Sequence, residues 1–88
     1  MRIRFTKHAL EKLTALQGGK ITITGADIVQ TVVGPDAVDT RNRAPQYIVQ
    51  KGLDATHVLR VVYALETERR IKVITFYPGR KAKYEKNK

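Results

Sequence analysis

The sequence predicts a small two-layer α+β domain, a strand and two helices followed by a three-stranded antiparallel meander. Three observations lead there. Two stretches before Gly34 repeat apolar residues at a spacing of about 3.6, the mark of helices with one buried face. Three later stretches, rich in Val, Ile, Tyr and Thr, have the alternation of strands. The chain has 88 residues, room for one core and too few for two, so the helices need the sheet to cover.

Each element follows from its own residues. Arg2, Ile3, Arg4 and Phe5 alternate polar and apolar, a short strand with one buried face. Thr6 can cap a helix that starts at Lys7, with Ala9, Leu10, Leu13 and Leu16 on its apolar face and Gly18-Gly19 as its stop. Thr24 and Asp27 have the spacing of a capping box, and Ile23 and Ile28 that of a hydrophobic staple. A second helix is therefore expected from about Ala26 to Val33, with Ile28, Val29, Val32 and Val33 as its stripe and Gly34-Pro35 ending it. Residues 36–44 read as a loop. Strands are expected over Gln46–Lys51, Val58–Glu66 and Arg70–Tyr77, with a turn at Thr67-Glu68 and a stop at Pro78-Gly79. The first strand should join this meander. Residues 1–84 form the domain, and residues 85–88 a basic tail.

Composition narrows the functional classes. With 42% hydrophobic and 28% charged residues the chain is globular in type. It has no cysteine, which removes disulfides and thiolate metal sites and agrees with a reducing cytoplasm. No apolar run approaches the roughly 18 residues of a membrane helix, and no signal-peptide core follows the N-terminus. No metal-ligand spacing and no phosphate-binding glycine loop occurs, so neither a metal nor another cofactor is implied. The absence of serine and cysteine excludes a Ser- or Cys-based triad. The net charge of +9 points to a nucleic acid, another polyanion or an acidic protein partner.

Several residues could carry chemistry. Arg60 is charged in the middle of an apolar strand; it should line a groove or meet a carboxylate, with Glu66, Glu68 or Asp54 as candidates. His8 lies in the first turn of the first helix, about 130° from the centre of its apolar stripe. Beside Lys7 at a positive helix end it could bind phosphate or exchange protons, or be an ordinary surface or capping histidine. His57 reads as surface. From Arg69 onward the cations Arg69, Arg70, Lys72, Arg80, Lys81, Lys83, Lys86 and Lys88 face Glu85 alone, and carry most of the molecule's excess. Tyr77 and Tyr84 lie among them, and their rings can stack on unpaired bases. The alternative for this end is a solvating tail.

The segments "FTKHALEKL", "VLRVVYALE" and "IKVITFYPGRKAKY" resemble a group of small bacterial RelE/ParE-like proteins, the superfamily of many toxin–antitoxin toxins. The resemblance covers most of the chain and includes the inferred element order. It implies a metal-independent endoribonuclease that cuts mRNA, usually in the ribosome, and an acidic antitoxin-like partner. By position Arg60 matches the central-strand arginine, Arg80 the arginine after the last strand, and Tyr84 the C-terminal aromatic. His8 matches the histidine of a T-K-H-A motif in uncharacterised relatives. Two departures stand out: no histidine lies near the C-terminus, and the second helix is short.

Two functions follow as expectations. In the first, RNA crosses the sheet face that carries Arg60, its phosphates held by Lys7, Lys72, Arg80, Lys81 and Lys83. Tyr77 and Tyr84 would then stack on bases, with Tyr84 and His8 also available for proton transfer. In the second, the same fold is a non-catalytic module that binds nucleic acid, DNA gyrase or an acidic protein.

Overall fold

The computed structural model describes residues 2–16, 21–39, 41 and 44–85. The chain runs β1 (Arg2–Phe5), α1 (Lys7–Ala15), α2 (Gly25–Val33), β2 (Ala37–Val38), β3 (Gln46–Gly52), β4 (His57–Thr67), β5 (Arg70–Arg80) and α3 (Lys81–Tyr84). This is a small α+β domain with one mixed five-stranded sheet, ordered β1-β5-β4-β3-β2. β1 runs parallel to β5, and every other neighbouring pair is antiparallel. No helix among the described residues is long and apolar enough to cross a membrane.

Both longer helices start as their sequences dictate. The Thr6 hydroxyl oxygen accepts the Ala9 amide at 3.1 Å and caps α1. Thr24 and Asp27 exchange two bonds, of 2.9 and 3.2 Å, and close the capping box of α2. The expected stop at Gly18-Gly19 lies outside the described residues. The helices pack their apolar stripes on one face of the sheet. Ala9, Ile28 and Val32 meet Val49, Leu59, Val61, Ile71, Val73 and Phe76 in a single core cluster, with Ile3, Phe5, Leu13 and Leu16 packed against it.

Three details correct the sequence expectations. The stripes are narrower than predicted: Leu10, Val29 and Val33 are exposed, while Thr31 is buried. In α1 the spacing Ala9, Leu13, Leu16 selects the line that faces the sheet, and Leu10 falls on its flank. The expected loop at 36–44 contains β2, which raises the sheet from four predicted strands to five. β5 does not stop at Pro78-Gly79 but continues to Arg80. Beyond Val73 it has no β1 partner, and an edge tolerates a proline without an N–H. Lys81–Tyr84, expected within the domain, coil into α3, while Lys86, Asn87 and Lys88 of the expected tail lie outside the described residues.

An irregularity in β5 matters most for function. Val62 pairs with Thr75 and Tyr63 with Val73, so Ile74 is an extra residue. Side chains alternate faces along a strand, and one inserted residue reverses the alternation beyond it. Ile71, Val73 and Phe76 therefore all enter the core, and Tyr77 is delivered to the opposite face, across from Arg60.

Candidate nucleic-acid interface on the helix-free sheet face

The face away from α1 and α2 is defined by register. Its rows read Gln50–Arg60–Tyr77, then Ile48–Val62–Thr75, then Gln46–Ala64–Lys72–Arg4. Arg60 stands in the middle of the sheet and is only 4% exposed. A guanidinium so placed needs its N–H groups satisfied. Nε donates to the Tyr77 hydroxyl at 3.1 Å, Nη1 to Gln50 Oε1 at 2.7 Å and Nη2 to Asp39 Oδ2 at 3.0 Å. Among the described residues no buried side-chain nitrogen or oxygen lacks a partner.

The carboxylate is thus Asp39, not one of the three expected. Glu66 instead pairs with Arg4 at 2.8 Å, and Asp54 with His57 at 3.0 Å. Asp39 follows β2, and its amide donates to the Ile48 carbonyl at 2.8 Å, which brings it beside the neighbouring row, from where its carboxylate reaches Arg60. Its carboxyl is held far below the usual range, first by hydrogen bonds from the Arg41 side chain and amide, then by the bond from Arg60. Arg41 donates to both carboxylate oxygens, at 3.0 and 2.9 Å.

α3 folds back over this cluster. The Tyr84 ring centroid lies 4.2 Å from the Arg60 guanidinium carbon, within the range of a cation–π contact. Lys83 Nζ lies 5.2 Å from the same ring, and Gln50 Nε2 donates to the Tyr84 carbonyl at 3.4 Å. Val58 is fully buried without belonging to the main core. It pairs with Gly79, where the Tyr84 ring comes close, so α3 supplies its cover. Lys81 and Lys83 thus sit on a short helix tied to the sheet.

The other expected residues form a looser ring around the cluster. Arg80 is exposed and pairs with His57, and the Lys81 amide donates to the Thr56 carbonyl at 2.9 Å. His8 is exposed, with Nε2 3.4 Å from the Thr75 hydroxyl. Lys12 donates to that hydroxyl at 3.4 Å and lies 5.9 Å from the Tyr77 ring centroid. Lys12 reaches this position because β5 has a free edge past Val73. His8, Lys12 and Thr75 therefore adjoin the Arg60 cluster through Tyr77. Lys7 is exposed at the start of α1, and Lys72 lies two rows away from Arg60. His57 is held in its turn by Asp54, whose carboxyl is lowered to about 2, chiefly by the Thr56 amide and then by His57.

Sequence reasoning did not find Asp39, Gln50, Lys12 or Thr75. Gln50 carried a signal, a polar residue ending the apolar run "YIVQ". Asp39 carried none, because a two-residue strand shows no periodicity. Comparison of the chain with protein-family models, with curated proteins and with solved structures returned no match.

Proposed function

We propose that this protein is a RelE-like endoribonuclease that cuts mRNA without a metal, on the helix-free face of its sheet. One observation supports this above the others. Arg60, Tyr77 and Tyr84 converge on that face, 3.1 and 4.2 Å apart, in a chain of net charge +9. The element order β1-α1-α2 and then β3-β4-β5 supports this reading, while β2 adds a strand to the arrangement expected of it. Cleavage by the RNA's own 2′-hydroxyl needs a proton acceptor, a proton donor and fixed positive charge at the phosphate. His8 and Tyr84 are the titratable groups at hand, and Lys12, Arg80 and Lys83 the exposed or half-exposed cations nearby. Arg60 acts from beneath, holding Tyr77 and Tyr84 in place. An mRNA substrate would be met in the cytoplasm, and the basic face would also suit an acidic antitoxin-like protein.

A second function is favoured by the burial of Arg60. With its donors engaged by Asp39, Gln50 and Tyr77, it is built as a structural centre. The same face would then bind RNA, or an acidic partner, without chemistry.

Tyr84→Phe separates the two, because phenylalanine keeps the ring over Arg60 and removes only the hydroxyl. Wild type and variant are incubated with mRNA in EDTA, with and without ribosomes, and the cut sites are mapped. The nuclease requires wild-type cleavage that slows at least about tenfold in the variant at similar RNA affinity. Binding with a steep salt dependence but no cleavage in either condition would leave the non-catalytic module.

A further inference from the structure

A second cationic site lies at the other end of the same sheet. Parallel pairing of β1 with β5 sets Arg2 directly beside Arg70, and Arg4 directly beside Lys72. Paired residues on adjacent strands share a face, so two like-charged pairs stand side by side, an arrangement that costs stability. Arg69 adjoins them in the β4–β5 turn, where its carbonyl accepts the Arg2 amide at 2.7 Å. Glu66 answers only part of this charge. It takes a two-pronged bond from Arg4, at 2.8 and 3.0 Å, which holds its carboxyl below the usual range. Glu68 sits in the adjoining turn. Arg2, Arg69 and Arg70 form no ion pair among the described residues.

The backbone holds these charges firmly. Ile3 and Phe5, on the other face of β1, pack against the core, and Ile71 and Val73 on β5 are buried in it. A depression of about 490 Å³ opens here, lined by Arg2, Ile3, Arg4, Glu66, Arg70 and Ile71. Four of the five cations are arginines, whose planar fork matches phosphate oxygens in pairs. A fold that keeps like charges adjacent, on strands anchored by core residues, is arranged for an anion.

We propose that Arg2, Arg69, Arg70 and Lys72 form a distal clamp for the phosphate backbone of single-stranded RNA, with the Arg4–Glu66 pair as its fixed wall. The choice of RNA rests on the function proposed above. Lys72 pairs with Ala64 and Tyr77 with Arg60, so four positions of β4 separate them, about 13 Å along the sheet. A strand leaving Tyr77 and Tyr84 across this face meets the clamp several nucleotides away. The clamp contributes affinity and direction and touches no reacting atom.

The test measures binding of a short fluorescent single-stranded RNA over a range of salt, for wild type and Arg2→Gln/Arg70→Gln. The salt slope should fall by about 1.4 in magnitude, near 0.7 for each lost contact on a single strand, with at least about tenfold weaker binding at low salt. The variant should melt no lower than wild type at low salt, since a repulsive pair is gone; this separates lost contacts from lost fold. Equal slopes and affinities in the two proteins would overturn the clamp. If wild type binds no RNA, inorganic tripolyphosphate is titrated by calorimetry. Binding of it that the variant loses keeps an anion site and removes the RNA assignment, whereas no binding removes both. RNA binding that weakens in the variant, in a protein that never cleaves, keeps the clamp and removes the nuclease.

Discussion

Tyr84 lies over Arg60, with its ring centroid 4.2 Å from the guanidinium carbon, and Gly79 is what lets it come down there. A Cβ on Gly79 would overlap the Tyr84 ring, standing 2.6 Å from Cδ2. Gly79→Ala should therefore push the ring off Arg60 and uncover Val58. The cost of such overpacking is about 1–3 kcal/mol, read as a lower urea midpoint. Since both changes break one contact, Gly79→Ala/Tyr84→Ala should lose less than the sum of the two single variants. Additive losses would mean that the ring does not sit where Gly79 admits it.

Removing the Asp39 carboxylate should be costly. Arg60 is 4% exposed, and Asp39→Ala would leave its charge without its anion. Breaking one partner of a buried pair costs about 3 kcal/mol, whereas replacing both partners with apolar groups can be neutral. Arg60→Met/Asp39→Leu should thus recover more than half of what Asp39→Ala loses in urea unfolding. A double variant less stable than Asp39→Ala would show that Arg60 stabilises the sheet by itself.

Acid should weaken the fold in a defined window. Asp39, Asp54 and Glu66 all have carboxyls below their ordinary values, held there mainly by Arg41, the Thr56 amide and Arg4 respectively. A depressed pKa means that the unfolded chain binds more protons, so these groups contribute stability above their unfolded values, near 4. That contribution is lost as pH falls toward about 2, the Asp54 value, and for Asp39 lower still. The urea midpoint should be level above about pH 5 and drop between about pH 4 and 2, less steeply in Asp39→Asn. A midpoint that climbs on acidification through this window would contradict the assigned partners.

Deleting Ile74 tests its place as the extra residue in β5. Val73 would then be followed directly by Thr75, so Tyr63 keeps Val73, Val62 keeps Thr75, Phe76 stays in the core and Tyr77 stays on the Arg60 face. The deletion variant should therefore keep cooperative thermal unfolding. Loss of cooperative melting on deletion would show that the irregularity itself, and not only the faces it sets, is needed by the sheet.

Much of the fold was legible from local chemistry. The caps at Thr6 and Thr24, the helices behind them and the three long strands all depend on residues within a few positions of one another. Charge was legible too, because +9 is a sum and needs no geometry. The candidate site was legible only in outline: Arg60 was conspicuous as a cation in an apolar strand, and Tyr77 and Tyr84 as aromatics among cations.

Its wiring was decided by tertiary structure. Asp39 becomes the partner of Arg60 across 21 positions, through a strand too short to show a period. Tyr77 reaches Arg60 because one inserted residue reverses a face, and Tyr84 because a four-residue helix folds back over a glycine. Arg2 and Arg70 become neighbours only when β1 pairs parallel to β5. The sequence by itself determined the two longer helices, the four longer strands and the sign of the charge, since hydrophobic period and capping act over single turns. Which charges meet was determined by register, which depends on how the whole sheet buries its apolar side.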